Sequence, residues 1–216
     1  MISAIIVAAG KGLRAGIETP KQFVNINGNQ ILSLSVNTFK ENNKIDEIII
    51  VVDRNWHDAI SHSYNKCKVV VGGKTRQKSV KAGIESCHKD TSIVLIHDAA
   101  RPFLSQSIIN NCIKHIDSAD AVAPILDTID SLVEIGKNHL TSINRNKIKS
   151  VQTPQCFKLS CILESINSNF SSTDEIGLLL KKHPNSNIKF IKGCSKNFKI
   201  TSKYDLMLAE SLIMNK

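Results

Sequence analysis

Short apolar runs alternate with helical spacing along most of this chain, and that alternation restricts the possible folds more than any single motif. Runs of strand length occur at Ala4–Val7, Glu47–Val52, Lys68–Val71, Ser92–Ile96 and Ala121–Ile125. Between them lie Ile31–Lys40, Trp56–Tyr64, Gln77–Cys87 and Gln106–Ile116. In the first of these, Ile31, Leu32, Leu34, Val36 and Phe39 fall three and four apart, which is one face of a helix. Ser79, Val80, Ala82, Gly83 and Ile84 make a smaller face of the same kind. Strand followed by helix, repeated, predicts mostly parallel pairing, right-handed crossovers and a sheet covered on both sides. A length of 216 residues suits one such α/β domain, 1–216, burying roughly 70% of its unfolded surface. Ligands in open α/β sheets sit beyond the carboxyl ends of the strands. The segments Ala8–Lys21, Gly72–Arg76 and His97–Pro102 all fall there, so three loops converge on one rim.

The pattern changes between residues 127 and 152. Thr128–Glu134 alternates, Gly136-Lys137-Asn138 offers a turn, and Leu140–Ile143 and Ile148–Val151 alternate again. This spacing predicts a two-stranded β-arm protruding from the main sheet. A lone ribbon is marginal in water and needs a surface to lie on, and a second copy of the chain is the natural one. Further on, the sequence reads as a helix from about Leu159, a second opened by Thr173-Asp174-Glu175, a strand at Ile188–Ile191 and a last helix near Lys203–Met214. No repeat, low-complexity segment or linker interrupts the chain.

Several function classes are excluded at this level. No apolar run approaches the ~20 residues that span a bilayer, and the N-terminus has no signal-peptide pattern, so a cytoplasmic protein with no membrane partner is expected. The six cysteines include no C-x-x-C pair, and the seven histidines form no metal-ligand spacing, against a structural zinc site or disulfide framework. A net charge of +9 suggests an anionic partner. The lysines are dispersed, however, and only 5% of residues are aromatic, so the basic stripe with stacking rings expected of a nucleic-acid binder is missing. A small anionic substrate fits better.

Candidate chemistry lies in the rim loops. Ala8-Ala9-Gly10-Lys11-Gly12-Leu13-Arg14 runs on to Pro20-Lys21-Gln22-Phe23. Its small residues let the backbone approach a ligand and direct amides at it, and Arg14 and Lys21 supply the charge a phosphate needs. The spacing matches neither G-x-G-x-x-G nor a Walker loop. In Gly72-Gly73-Lys74-Thr75-Arg76-Gln77-Lys78-Ser79, the backbone amides and the Ser79 hydroxyl could meet a base or phosphate. In His97-Asp98-Ala99-Ala100-Arg101-Pro102, Asp98 could take a divalent cation or a hydroxyl and Arg101 a phosphate, while His97 reads as structural. Thr173-Asp174-Glu175 reads as a helix cap with first-turn acids.

Taken in order, these blocks resemble the 2-C-methyl-D-erythritol 4-phosphate cytidylyltransferase family of the non-mevalonate isoprenoid pathway. Besides the loops above, the resemblance rests on Asp127-Thr128, Asn144-Arg145, Thr153-Pro154-Gln155, Thr173-Asp174-Glu175 and Asn197-x-Lys199-Ile200-Thr201, and it spans almost the whole chain. It implies a Rossmann-like nucleotidyltransferase fold and a homodimer joined through the arm. It also implies a reaction in which the methylerythritol phosphate attacks the α-phosphorus of CTP and pyrophosphate leaves. By that likeness Ala8, Ala9, Gly10, Gly73, Ser79 and Ala99 hold CTP, and Arg14 and Lys21 neutralise charge on the triphosphate. Asp98 lies near Mg²⁺ and the polyol hydroxyls. Arg101, Thr153 and Lys199 bind the second substrate, completed by Thr128 and Arg145 from a partner's arm. Two positions depart from the family pattern: Lys74, where an acid is common, and Asp130, where a base is common. Ribitol 5-phosphate cytidylyltransferase, on a similar scaffold, is the alternative substrate reading. A non-catalytic nucleotide or RNA binder is the alternative of another class.

Overall fold

The structure is a computed structural model, and it describes residues 1–10, 19–137 and 139–214. The elements run β1 (Ile2–Val7), a small hairpin of β2 (Asn25–Ile26) and β3 (Asn29–Gln30), α1 (Ile31–Lys40), β4 (Glu47–Val52), α2 (His57–Ser63), β5 (Lys68–Val71), α3 (Arg76–Glu85), β6 (Ile93–Asp98) and α4 (Gln106–Ile116). The second half continues with β7 (Ala121–Asp127), β8 (Leu132–Ile135), β9 (Leu140–Ile143), β10 (Lys149–Val151), β11 (Gln155–Lys158), α5 (Leu159–Ile166), α6 (Glu175–Lys182), β12 (Ile188–Lys192) and α7 (Lys203–Met214).

β1 is the centre of the main sheet, parallel to β4 on one side and β6 on the other, with β5 parallel beyond β4. Its period-two alternation divides the core. Ala4 and Ile6 face a layer built from Leu32, Val36 and Phe39 of α1 and Ile108, Ile109 and Cys112 of α4. Ile5 faces the opposite layer, with Val80 and Ile84 of α3, Ile162 of α5 and Leu179 of α6. The fold is therefore α/β, a mostly parallel sheet with helices on both faces. Between β6 and β7 the chain inserts β11, antiparallel to both. This strand is absent from the sequence reading: its only strand-like signal is the pair Cys156-Phe157, enclosed by Gln155 and Lys158. β12 lies on the far side of β7, parallel to it, and β10 continues the line of β11 along the near side.

Two boundaries differ from the sequence reading in ways that matter for the site. His97 and Asp98 are the last residues of β6, with Asp98 in register with Val7 of β1, rather than the start of a loop. Lys149–Val151 belongs to the main sheet, not to the returning half of the arm. The excursion itself is a hairpin in which Leu132 pairs with Ile143 and Ile135 with Leu140. Its base is closed where Lys149 and Asp127 face each other and form an ion pair. Much of its apolar surface is open, with Ile129 84%, Ile135 81% and Leu140 73% exposed. Among the described residues, no helix is long and apolar enough to cross a membrane, and the six cysteines are free thiols.

Candidate functional site

The carboxyl ends of β1, β4, β5 and β6 meet at one rim, and the loops leaving them are stitched together. Gln22 donates from Nε2 to the carbonyls of Ala8 (2.6 Å) and Gly10 (2.7 Å), tying residue 22 to the first loop where it leaves β1. Lys21 occupies the buried 3-10 turn Lys21–Phe23, whose Phe23 ring stacks on Trp56 at 4.3 Å. Gly72 packs against that loop so closely that a Cβ there would sit 2.7 Å from the Cβ of Ala9 and 2.7 Å from Ser79 Oγ. Any larger residue would force the two loops apart. The Ser79 hydroxyl accepts from the Gly73 amide at 3.2 Å and reaches the carbonyl of Thr75 at 3.0 Å. It thus holds the glycine turn at the start of α3, where Thr75 is the N-cap, accepting from Lys78. Ala99 is buried and donates its amide to Val7. Of the residues assigned to CTP, the structure therefore gathers Ala8, Ala9, Gly10, Gly73, Ser79 and Ala99 along one rim. Arg14 lies outside the described residues.

Beside this rim is a polar cleft of about 410 Å³ lined by residues that include Arg76, Asp98, Arg101, Thr153, Asp174 and Lys199. Asp98 is its centre. Arg76 Nε lies 3.1 Å from Oδ1, Lys199 Nζ 2.8 Å from Oδ2, and Arg101 Nε 3.8 Å from Oδ2. Burial alone would raise the pKa of this carboxyl. Arg76 first, then Lys199, then Arg101 more than offset that and hold it well below the usual carboxylate range. Arg76 also reaches Glu175 Oε1 at 2.5 Å. Three cations, Arg76, Arg101 and Lys199, converge on the one carboxylate of Asp98, while Glu175 behind Arg76 and Asp174 in the lining balance the remaining charge. Arg101 Nε is buried with no hydrogen-bond acceptor, and its Nη1 is committed to the carbonyl of Asn197 at 2.8 Å. An unfilled buried donor of this kind costs free energy until an acceptor arrives.

The cleft is framed from distant parts of the chain. The backbone of Ile200 donates to the carbonyl of Ala100, which lays Lys199 alongside the end of β6. Thr153 is buried; its hydroxyl accepts from the Asp98 amide at 3.1 Å and lies 3.1 Å from His97 Nδ1. Because Nε2 faces the Arg101 carbonyl, which can only accept, Nδ1 of the neutral ring is the acceptor and the Thr153 hydroxyl donates to it. The ring is then the tautomer that donates from Nε2 to the Arg101 carbonyl, 3.1 Å away. Burial drives the His97 pKa down to about 4, against the opposing pull of Asp98, so the ring is neutral at physiological pH. His97 is a strut inside the fold, as its reading from sequence had it.

Thr128 and Arg145 do not line this cleft. They sit at the root of the hairpin, where Thr128 Oγ1 donates to the Ile148 carbonyl and Arg145 Nη1 to that of Ile129. Both are exposed. The sequence reading did not foresee that Arg76 would join two carboxylates. It also took Glu175 only as a first-turn acid. The N-cap part of that reading holds, since Asp174 Oδ1 accepts from the Gly177 amide at 2.9 Å. The burial of Glu175 escaped notice because its counter-ion is 99 residues away along the chain. A second cleft, of about 460 Å³, opens around Asp120, Cys161, Glu164 and His183 and contains none of the residues the motifs single out.

Comparison with known proteins gives the same picture from end to end. The family model described as "IspD: 2-C-methyl-D-erythritol 4-phosphate cytidylyltransferase" matches residues 2–215. A 2-C-methyl-D-erythritol 4-phosphate cytidylyltransferase of Clostridium novyi is 38% identical over 226 residues, covering 98% of this chain and 96% of its own length. One from Clostridioides difficile is 34% identical, covering 99% of this chain and 94% of its own. The crystal structure of 4-diphosphocytidyl-2C-methyl-D-erythritol synthase from Anaerococcus prevotii has a TM-score of 0.88 at 28% identity, covering 99% of this chain and 96% of that one.

Proposed function

Because the chain belongs to the 2-C-methyl-D-erythritol 4-phosphate cytidylyltransferase family, we propose that it joins CTP to 2-C-methyl-D-erythritol 4-phosphate, forming 4-diphosphocytidyl-2-C-methyl-D-erythritol and pyrophosphate. A phosphate oxygen of the polyol forms a bond to the α-phosphorus of CTP, and the bond from that phosphorus to the bridging oxygen of the pyrophosphate breaks. No proton needs to be abstracted from the attacking phosphate dianion, which suits a cleft beside which His97 is buried and neutral. The chemistry asks the protein chiefly to hold two polyanions in line and to offset their repulsion.

The observation that carries this reading is the buried Arg101 Nε without an acceptor, beside Lys199 and within the group of three cations that converge on Asp98. That is the environment a phosphate fills. Arg101, Thr153 and Lys199 take the polyol phosphate, and Asp98 takes its hydroxyls. Ala8, Ala9, Gly10, Gly73, Ser79 and Ala99 line the place of CTP, whose triphosphate meets Lys21 and Arg14. Among the described residues no three His, Cys, Asp or Glu side chains could hold a metal between them. A single carboxylate suits Mg²⁺ only when phosphates and waters complete the shell, so Asp98 would hold it together with CTP. When bound there, Mg²⁺ screens the negative charge of the phosphates. The exposed apolar arm is read as the joint of a homodimer, carrying Thr128 and Arg145 to the partner's cleft, and the enzyme as a cytoplasmic one.

Pyrophosphate release, measured with CTP and Mg²⁺ against 2-C-methyl-D-erythritol 4-phosphate, ribitol 5-phosphate and erythritol 4-phosphate, tests the assignment. The expected result is turnover with the first at least about tenfold above the others, the scale of one or two polar contacts in a specific pocket. Preference for ribitol 5-phosphate would reassign the acceptor, and no pyrophosphate from any of the three would remove the reading.

A further inference from the structure

We propose that Glu175 is a positioning residue of this reaction: it anchors Arg76 so that Arg76 stays on Asp98 when the substrate phosphates arrive. The inference rests on the functional reading above and assigns work to two residues that reading leaves unused.

Arg76 stands at the first turn of α3, next to a site for polyanions, and a mobile arginine there would bind phosphate in preference to a carboxylate shared with two other cations. Two contacts prevent this. Its Nε meets Asp98 Oδ1 at 3.1 Å, and its Nη1 meets Glu175 Oε1 at 2.5 Å. Glu175 is 2% exposed, and its other oxygen, Oε2, is buried with no hydrogen-bond partner. Burial raises its pKa, against the opposing charge of Arg76. The carboxylate therefore depends on Arg76 for its ionised state, and pulling Arg76 away would strand a charge in the interior at considerable cost. The pair is thus hard to open.

Glu175 cannot follow Arg76 outward either. Gln155 Oε1 accepts from the amides of both Glu175 and Ile176 at 3.1 Å, and its Nε2 donates to Asp174 Oδ2 at 2.8 Å. Gln155 lies on β11, paired with Ile96 of β6, two residues before Asp98. The start of α6 is thereby fixed to the strand that carries Asp98, and Arg76 closes the ring from the other side. With Oδ1 held by Arg76 and the Asp98 amide by Thr153, only Oδ2 is left to exchange Lys199 for substrate. Arg76 is in this account a brace on the carboxylate, not a phosphate ligand.

Three variants of the full-length protein test this: Glu175→Gln, Arg76→Met and the double variant. In the ligand-free protein, the Arg76 Nε–H signal should be resolved and slow to exchange with solvent by ¹⁵N NMR, and should become fast in Glu175→Gln. In steady-state kinetics, Glu175→Gln should raise KM for the polyol phosphate about tenfold, while KM for CTP changes less than about twofold. Because one residue acts through the other, Glu175→Gln should add almost nothing in the Arg76→Met background, whereas independent effects would multiply. A multiplied effect, an unchanged polyol KM or unaltered Arg76 exchange overturns the inference. A protected Arg76 that is released in Glu175→Gln, in a protein with no cytidylyl transfer, upholds the anchor and instead removes the functional reading. Should Arg76→Met fail to fold, the NMR and KM results on Glu175→Gln decide alone.

Discussion

Single residues outside the cleft show how local sequence signals operate here. Asp205, in the first turn of α7, accepts on one oxygen from the backbone and hydroxyl of both Thr201 and Ser202, at 2.7 to 2.9 Å. The Asp205 amide returns a bond to Ser202 Oγ at 3.2 Å. This is a reciprocal cap of the S-x-x-D type, legible from Ser202-Lys203-Tyr204-Asp205. The slight burial of the carboxyl works against ionisation, but the four donated bonds outweigh it and lower its pKa to about 2. A carboxyl depressed by folding stabilises fully above its unfolded pKa and loses that contribution as pH falls through the folded one. The window is thus about pH 4 down to about pH 2, and for a half-buried group at the surface the contribution is on the order of 1 kcal/mol after screening. Chemical denaturation of Asp205→Asn should show lower stability than wild type at pH 7, with the gap closing toward pH 2. A gap independent of pH would assign the effect to packing. Site residues were less evenly legible. Arg101 was readable beside Asp98, but Lys199 read from sequence only as a motif member, because what brings it to Asp98 is the Ile200–Ala100 backbone bond, a contact across 100 residues.

At the scale of elements, the strand-helix alternation was readable wherever a buried run was long, as in β4 and β7. It failed at β11, whose four residues sit between two strands and bury the polar Gln155 along with Cys156 and Phe157. A strand held mainly by its neighbours leaves little pattern in its own composition. The packing of α3 offers a sharper case. A Cβ at Gly83 would lie 2.5 Å from Ile5 Cγ2 and 3.0 Å from Val51 Cγ2, so the helix rests directly on the sheet at that point. Gly83→Ala gains helix propensity of roughly 1 kcal/mol, yet overpacking against two β-branched side chains costs about 1–3 kcal/mol. A net loss of stability in urea denaturation is expected, and a gain would mean that α3 can lift from the sheet freely. The β8–β9 hairpin was legible as an arm, apart from its last strand, because its alternation has no matching helix to cover it.

On the scale of the whole molecule, the proposed arrangement makes each cleft depend on two chains. Lys21→Ala should lower turnover by ~10²–10³-fold, the loss typical of one transition-state donor. Arg145→Ala, on the arm, should also be severely impaired. Mixing the two under conditions of subunit exchange should restore part of the activity, since one of the two clefts in a mixed dimer would contain neither substitution. No recovery, with exchange demonstrated by mass or fluorescence, would show that each cleft is built from one chain. The net charge of +9 was visible at once, but its use was not, because the cations that matter are few and are gathered from residues 76, 101 and 199. The position of β11 has one more consequence, for how the protein is made. Residues 155–158 fill the gap between two strands synthesised earlier, β6 and β7. During translation the sheet therefore stays open along its middle until that late segment has left the ribosome, and beyond β7 until β12 follows. A nascent chain halted at residue 150 would expose the raw edges of β6 and β7 to any other unfinished chain nearby.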